Sequence, residues 1–180
     1  MNGFIEFNEI LKERKCQAKI LILGSYQRLT AQGSEESCEE ILEKLKEFLI
    51  ANGFSNTKLV KDWIIEDNIP PESLVALFRE KSFHHIDYWA EILVFVFLKD
   101  ANNYSVTREL SHMVDCSKEK CSHSIILRHD EIDLGSLIKG DISIERILES
   151  SFSDNQELYQ TAFAGCFNIL FTLESQKHTS

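Results

Sequence analysis

The sequence predicts an α/β fold in which helices cover both faces of a parallel sheet. Short apolar runs at 19–23 and 91–98 are typical of strands that are buried on both faces. Amphipathic helical patterns alternate with these runs along the chain, which is the order of β-α-β units. The 180 residues show no internal repeat, linker or break in composition, so a single domain is expected.

The N-terminal part of the chain is predicted to form a helix followed by the first strand. Residues 3–15 carry apolar side chains at helical spacing, which indicates a short amphipathic helix. The first strand covers 19–23 and ends at Gly24. The apolar positions of the helix are Phe4, Phe7, Ile10 and Leu11.

The next two elements are a predicted helix over 35–52 and a predicted strand over 57–63. Ser37 and Glu40 have the spacing of a capping box at the start of the helix, and Gly53 stands where a C-cap glycine is expected. The glutamates of this helix lie mostly opposite its apolar stripe, so we interpret them as a solvated surface.

The third strand is the clearest one in the sequence. Residues 91–98 are mainly β-branched and aromatic, as expected for a central parallel strand. The helix before it is predicted to begin near Pro71, because proline suits the first helical position. After the strand, a polar loop from Asp100 leads to a helix that is predicted over 105–116.

The C-terminal part is predicted to hold a fourth strand at 124–127, a shorter element within 132–150 and a last helix at 155–174. This helix is apolar on most sides, which is typical of a deeply buried helix or of one at a subunit interface. We favour an interface, so the chain is expected to form a homodimer.

These elements form one predicted domain, 1–180, with three parts. An N-terminal helix occupies 1–18, an α/β core occupies 19–130, and a C-terminal helical part at 131–180 holds the predicted dimer interface. The expected fold class is a flavodoxin-like or Rossmann-like three-layer sandwich with a parallel sheet of four or five strands.

The composition of the chain is acidic. Lys and Arg total 19 and Asp and Glu total 29, which gives a net charge of −10. This balance disfavours nucleic acid and a polybasic membrane contact as partners. The five cysteines are an odd number, so a fully paired disulfide framework is not expected. No segment is typical of a signal peptide or a membrane span, and a cytoplasmic location is expected.

Ligands of open α/β sheets bind beyond the carboxyl ends of the strands, where the strand order reverses. The glycine-rich motifs of dinucleotide-binding and P-loop proteins are missing, since Gly24 stands alone. Neither of those classes, and no cofactor, is therefore expected. The loops that the strand-end rule selects are 24–26, 62–63, 100–105 and 129–130.

The loop and helix after the third strand carry the most informative residue, Glu109. At helical spacing, Glu109 lies at the border of an apolar stripe, with Ser105 and His112 on the same side of the helix. A carboxylate in that place is partly desolvated, which raises its pKa. Glu109 is therefore the candidate functional carboxylate of the chain.

The segments ILILGSY, EILVFVFL and SVTRELSH, in this order, resemble the nucleoside 2-deoxyribosyltransferase superfamily and the related TIR-like domains. In those families a small-residue loop follows the third strand and leads to a helix with a pattern like G-[TV]-x-x-E-[IL]-G. Here residues 105–111 fill that place, with Ser105 and Ser111 where glycines are expected. The resemblance covers roughly 19–130.

The resemblance implies a reaction at an N-ribosyl bond. Glu109 would attack C1′ or stabilise the oxocarbenium-like transition state, because a carboxylate suits the positive charge that develops on the sugar. Asp100 or Ser105 would contact ribose hydroxyls, and Tyr26 or Trp63 would stack on the base. The two residues that would lie near the base or the phosphate are Gly24 and Ser25.

Other interpretations of these residues stay open. Glu109 is also typical of a solvated acid near a helix N-terminus, and the alternative function is a non-catalytic nucleotide-sensing or protein-interaction module. The spacing of His112, Cys116, Cys121 and His123 is not a common zinc pattern, so no metal is expected. An acidic rim favours a nucleoside or a lightly charged nucleotide as ligand. The residues of that rim are Asp62, Asp100, Glu109 and Asp130.

Overall fold

The structure, a computed structural model, describes residues 2–29, 36–64 and 70–177, in which helices and strands alternate. Glu35 of the predicted second helix, and the side chains of Phe4 and Phe7 in the first, lie outside the described part. The elements are α1 (Asn2–Gln17), β1 (Ile20–Gly24), α2 (Cys38–Ala51), β2 (Thr57–Leu59), α3 (Pro71–Tyr88), β3 (Ile92–Phe97), α4 (Tyr104–Cys116), β4 (Ser124–His129), α5 (Gly135–Glu145), β5 (Leu148–Phe152) and α6 (Asn155–Lys177).

Five parallel strands form one sheet with the order β2-β1-β3-β4-β5. Ile22 lies opposite Val94 and Gly24 opposite Val96 where β1 pairs with β3. The strand order reverses between these two strands, so their carboxyl ends border the crevice in which α/β proteins bind ligands. The predicted α/β three-layer fold is confirmed.

The alternating side chains of the strands build a separate core on each face of the sheet. On one face, residues such as Ile22 and Val94 pack against α2 and α6. On the other face, residues such as Leu23 and Phe95 pack against α3, α4 and α5. Because β1 and β3 are buried on both faces, their sequences are continuous apolar runs rather than alternating ones.

The predicted strand at 57–63 is shorter in the structure. β2 ends at Leu59, and residues Val60–Trp63 form a 3₁₀ turn. The Asp62 carboxylate accepts a hydrogen bond from the Leu59 N–H at 2.9 Å. Such a local side-chain bond competes with the sheet ladder. The prediction of a strand up to residue 63 was therefore wrong, and Trp63 leaves the sheet.

The predicted element within 132–150 consists of a helix, α5, and a strand, β5. β5 pairs in parallel with β4, with Ile125 opposite Leu148. It is an edge strand whose side chains, apart from Phe152, are exposed or half-buried. An edge strand of this kind needs no continuous apolar run, which explains why periodicity did not mark it.

Two glycines and a capping box have specific roles around α2. The Ser37 side chain accepts a hydrogen bond from the Glu40 N–H at 3.1 Å, and the Glu40 carboxylate accepts one from the Ser37 N–H at 2.6 Å. Gly53, just past the helix, has a φ of +99°, which favours glycine. At Gly24 a Cβ would lie 2.9 Å from the Leu42 side chain, so glycine allows β1 and α2 to pack closely.

The apolar helix α6 packs on the sheet and on α2, and α1 packs beside it. Arg14 of α1 forms ion pairs with Glu174 at 2.7 Å and with Glu91 at 2.5 Å. The chain itself thus covers much of the apolar surface of α6, although Phe171 is 45% exposed. A homodimer through α6 stays a prediction. Among the described helices, none combines the length and apolar character that a membrane span requires.

Candidate functional site

A cavity of about 410 Å³ opens beside the carboxyl end of β1, at the reversal of strand order. Its volume is typical of a site for a small molecule. Its walls are formed by the loop after β1, the 3₁₀ turn after β2, one side of α3 and the first turns of α4. The cavity therefore occupies the place where the strand order predicts a ligand.

Backbone hydrogen bonds hold the loop after β1 against the loop after β3. The Leu29 N–H donates to the Asp100 carbonyl at 2.8 Å, and the Asn102 N–H donates to the Gln27 carbonyl at 2.9 Å. Ser25 is buried, and its hydroxyl donates to the Gln27 carbonyl at 3.0 Å. The two loops therefore form one frame at the edge of the cavity.

Glu109 of α4 lines this cavity with a desolvated carboxyl group. The residue is half-buried, but its Oε2 has no exposed surface and no hydrogen-bond partner among the described residues. Burial raises the pKa of Glu109 to about 8, although a hydrogen bond with the Ser82 side chain acts in the opposite direction. A large fraction of Glu109 is therefore protonated at neutral pH, and its ionised form lacks the solvation that water would give it.

Tyr26, in the loop after β1, lines the same cavity as Glu109. Its ring packs edge to face on Phe78 of α3, with the centroids 5.8 Å apart. Burial raises the pKa of the Tyr26 phenol, and the negative charge of Glu109 raises it further. The two groups are thus close enough for the charge of one to affect the protonation of the other.

Three cationic side chains of the described residues line the cavity, and they differ in their partners. Lys61 is neutralised by Glu39 at 2.5 Å and by Glu43 at 2.6 Å. Arg79 and Arg108 have no carboxylate partner among the described residues. Two guanidinium groups are therefore available to an anionic group of a ligand, and guanidinium is well suited to phosphate.

The predicted site residues fall into two groups in the structure. Trp63 stacks on His85, with ring centroids 3.7 Å apart, and contacts Trp89. Asp100 is an exposed loop residue with a φ of 58°. Neither Trp63 nor Asp100 lines the cavity. The predicted residues that do line it are Gly24, Ser25, Tyr26, Ser105 and Glu109.

Sequence reasoning missed the wall that α3 provides. The apolar pattern after Pro71 indicated a helix and its inner face, but it held no signal for the side that meets α4. That side depends on how the two helices pack against each other, which periodicity does not describe. The cavity residues found only in the structure on α3 include Phe78, Arg79, Ser82 and Phe83.

The histidines and cysteines around the end of α4 do not form a ligand set. His112 Nε2 instead lies 3.0 Å from Asp87 Oδ1. In the described ranges, the group whose donor atoms lie within 4.8 Å of one another is His129, Asp130 and Glu131. Two members of this group are exposed acids in a loop, so we assign no metal to it. The residues considered from sequence were His112, Cys116, Cys121 and His123.

No protein-family model matches this chain, and no curated protein matches it in sequence. Among solved structures, a CMP N-glycosidase of Clostridium botulinum, BcmB, is similar with a TM-score of 0.50 and 12% sequence identity. The match covers 80% of this chain and 97% of that one. At such low identity the likeness shows the fold alone. The chain thus shares an α/β fold with a protein described as a CMP N-glycosidase.

Proposed function

We propose that the chain binds a nucleoside or nucleotide and cleaves or exchanges its N-glycosidic bond at Glu109. The observation that carries the proposal is the unpartnered, desolvated carboxyl oxygen of Glu109 in a cavity of ligand size. A buried polar atom without a partner destabilises a fold, so its presence in a cleft favours a functional role. The fold shared with the CMP N-glycosidase supports the same class of reaction.

The chemistry of such a bond suits this carboxyl group. The C1′–N bond breaks, the base leaves with the bonding electron pair and takes up a proton, and positive charge develops on the sugar. The Glu109 carboxylate stabilises that charge or attacks C1′, and water then supplies the new hydroxyl on C1′ and a proton. The attraction between the carboxylate and the positive charge on the sugar is strong, because no water competes for the carboxylate.

Other groups on the cavity wall supply the contacts for binding. We assign the aromatic surface of Tyr26 and Phe78 to the base, because stacking and edge contacts suit a flat heterocycle. Ser105 lies one helical turn before Glu109, so we assign its hydroxyl to the sugar. Ser25 and Gly24 complete the edge of the site beside the loop after β1.

The two arginines favour a nucleoside monophosphate over a neutral nucleoside. Arg79 and Arg108 lie on the cavity wall without a carboxylate partner among the described residues. The acidic rim expected from the sequence is weaker than its composition indicated, because Asp62 is bonded to the Leu59 N–H and paired with Lys46 at 3.0 Å. A ligand with one phosphate group therefore fits the charges of the site.

The proposal is tested by incubating the protein with a panel of nucleosides, nucleoside monophosphates and NAD and following the free base by chromatography. Wild-type protein is expected to release base from at least one member of the panel. Glu109→Gln is expected to lose about a hundredfold or more in rate, because the amide provides no charge for the transition state. The value of kcat/KM is expected to rise with pH and to level off above about 8, since the ionised form acts.

Glu119→Gln is the matched control, because Glu119 is exposed and does not line the cavity. It is expected to keep the wild-type rate. Unchanged base release by Glu109→Gln would contradict the proposal. If neither protein releases base but a nucleotide raises the melting temperature of both, the chain is a non-catalytic nucleotide-binding module. If no compound of the panel raises the melting temperature, both functions are contradicted.

Arg79→Ala and Arg108→Ala test the phosphate assignment. Each is expected to raise KM for a monophosphate about tenfold, since a charge-assisted hydrogen bond contributes roughly 1.5–3 kcal/mol. KM for the matching nucleoside is expected to stay unchanged. Lys12→Ala, at an exposed cation of α1, is the control. An equal rise in KM for the nucleoside and for the monophosphate would show that the arginines do not contact a phosphate.

A further inference from the structure

A polar network joins α3 and α4 beside the cavity. The Asp87 carboxylate of α3 lies 3.0 and 3.1 Å from His112 Nε2 of α4. The Ser117 hydroxyl, just past the end of α4, donates to Asp87 Oδ1 at 2.6 Å. The side chains of Asp87 and His112 retain 24% and 17% of their exposure. This partial burial strengthens the bond relative to a fully solvated pair.

The network reaches the cavity through an aromatic contact. The His112 ring lies flat on the Phe83 ring, with centroids 4.0 Å apart and an interplanar angle of 2°. Phe83 lines the cavity and follows Ser82, which lines it together with Glu109 and whose hydroxyl donates to the Arg79 carbonyl at 3.0 Å. On α4, His112 follows Glu109 by one helical turn. Phe83 is therefore adjacent in sequence to Ser82, and His112 lies one helical turn from Glu109.

We propose that Asp87 and His112 form a positioning pair for the cavity. Through the Phe83 wall, the pair sets the packing of α3 against α4 that keeps water from the Glu109 carboxyl group. The proposal concerns the same site as the proposed function and rests on it for its effect on catalysis. Neither residue lines the cavity, so both act through Phe83, Ser82 and Glu109 rather than on a ligand.

The physical reason is that the carboxylate fixes the orientation of the imidazole ring. A histidine without a hydrogen-bond partner has several accessible rotamers, whereas a bond to a carboxylate selects one. Without Asp87, the ring behind Phe83 is free to turn, the gap between the helices loosens and water reaches Glu109. Added water lowers the pKa of a carboxyl group that burial had raised. Other titratable or charged groups on the wall are Tyr26, Glu39, Lys61, Arg79 and Arg108.

The experiment measures the pKa of Glu109 without substrate. Protein labelled with ¹³C at glutamate carboxyl groups is titrated by NMR, and the Glu109 signal is assigned from its loss in Glu109→Gln. Asp87→Asn is expected to lower the pKa of Glu109 by about one unit. His112→Gln, which keeps a hydrogen-bonding group, is expected to shift it less than His112→Ala does. Asp115→Asn, at an exposed residue of α4, is the control and is expected to cause no shift.

A lower melting temperature of Asp87→Asn with an unchanged pKa of Glu109 would overturn the proposal, because the pair would then only hold the helices together. If Asp87→Asn does not fold, Ser117→Ala removes a single bond to Asp87 and is expected to give a smaller shift in the same direction. No shift in a folded Ser117→Ala would also count against the pair.

The titration separates this proposal from the proposed function. If wild-type protein releases no base, the proposed function fails, but the pKa of Glu109 in the variants still reports on the positioning pair. If base is released, Asp87→Asn is expected to lower kcat about tenfold with a smaller change in KM, since misplaced groups slow the chemical step most. An unchanged kcat with a shifted pKa would show that the pair does not serve catalysis.

Discussion

The two faces of the sheet are packed with different chemistry. The face under α2 and α6 is a continuous apolar core that includes Leu42 and Leu170, both without exposed surface. The face under α3 and α4 also contains apolar residues, but Ser82, His85 and Glu109 lie among them. The ring nitrogens of His85 and the Oε2 of Glu109 are buried without a partner in the described part of the chain.

The difference separates a face that only stabilises the fold from the face that contains the cavity. A buried polar atom without a hydrogen bond costs about 1–3 kcal/mol, so a sequence selected for stability alone would avoid it. Burial lowers the pKa of His85 to about 4, which keeps its ring neutral and allows it to stack on Trp63. Glu109 is kept neutral in the same way, but it also lines a cavity.

The largest change in the free energy of unfolding is expected when a buried side chain on the apolar face is truncated. Leu170→Ala on α6 is expected to lower the free energy of unfolding by about 2–5 kcal/mol, because it leaves a cavity in a well-packed core. The pKa of Glu109 is expected to stay the same, since the sheet lies between the two sites. Urea unfolding and the NMR titration measure the two quantities.

Gln160→Ala provides the control for this truncation, since it shortens an exposed side chain of α6. It is expected to change the free energy of unfolding by no more than about 0.5 kcal/mol. A shift of the pKa of Glu109 in Leu170→Ala would show that the two faces are coupled, and the comparison between them would no longer hold.

On the face with the cavity, a substitution is expected to raise the free energy of unfolding rather than lower it. Glu109→Gln is expected to raise the free energy of unfolding on the order of 1–3 kcal/mol near pH 8. The folded protein has a Glu109 pKa of about 8, above the ordinary value of 4.5. Between pH 4.5 and pH 8 the folded protein therefore holds a proton that the unfolded chain has already lost. Wild-type stability therefore falls as pH rises through this window, whereas the glutamine variant lacks this dependence.

The test is urea unfolding of wild type and Glu109→Gln across that pH range, with Glu119→Gln as the reference. The stability gap between wild type and Glu109→Gln is expected to close near pH 4 and to be largest above pH 8. A gap that does not vary with pH would mean that the Glu109 carboxyl is solvated, and the contrast between the faces would lose its electrostatic basis.

The smallest change in the free energy of unfolding is expected for a substitution at the start of α2. Ser37→Ala is expected to lower the free energy of unfolding by about 1 kcal/mol, because the Glu40 N–H loses its capping acceptor. Thermal unfolding followed by circular dichroism measures the change. Ser143→Ala within α5 is the comparison and is expected to be neutral or slightly stabilising, since alanine favours a helix interior. Equal losses in both variants would contradict the capping role.

Much of the fold was predictable because its signals are local. The apolar runs at 19–23 and 91–98 correspond to β1 and β3, and the capping box at Ser37 marks the start of α2. The errors occurred where a side chain or an edge position changed the local pattern. Asp62 ended β2 early, and the half-exposed β5 had no apolar run.

The candidate site was predictable only in part. Loops that follow β1 and β3 could be placed at one edge of the sheet, since parallel strands bring their carboxyl ends together. The position of Glu109 on α4 followed from helical spacing. Trp63, however, contacts His85 instead of the cavity, because the 3₁₀ turn redirects it. The contribution of α3 had no marker in the sequence.

The sequence by itself determined the α/β alternation, the two-sided burial of the central strands and the position of Glu109 at the edge of an apolar helix face. These features depend on neighbours along the chain, and hydrophobic periodicity records them. Only the tertiary structure decided that α3 closes the cavity, that Ser82 and Glu109 line it together and that Asp87 holds His112 behind Phe83. Those contacts join residues that are distant in sequence, and they depend on the packing of two helices that periodicity does not describe.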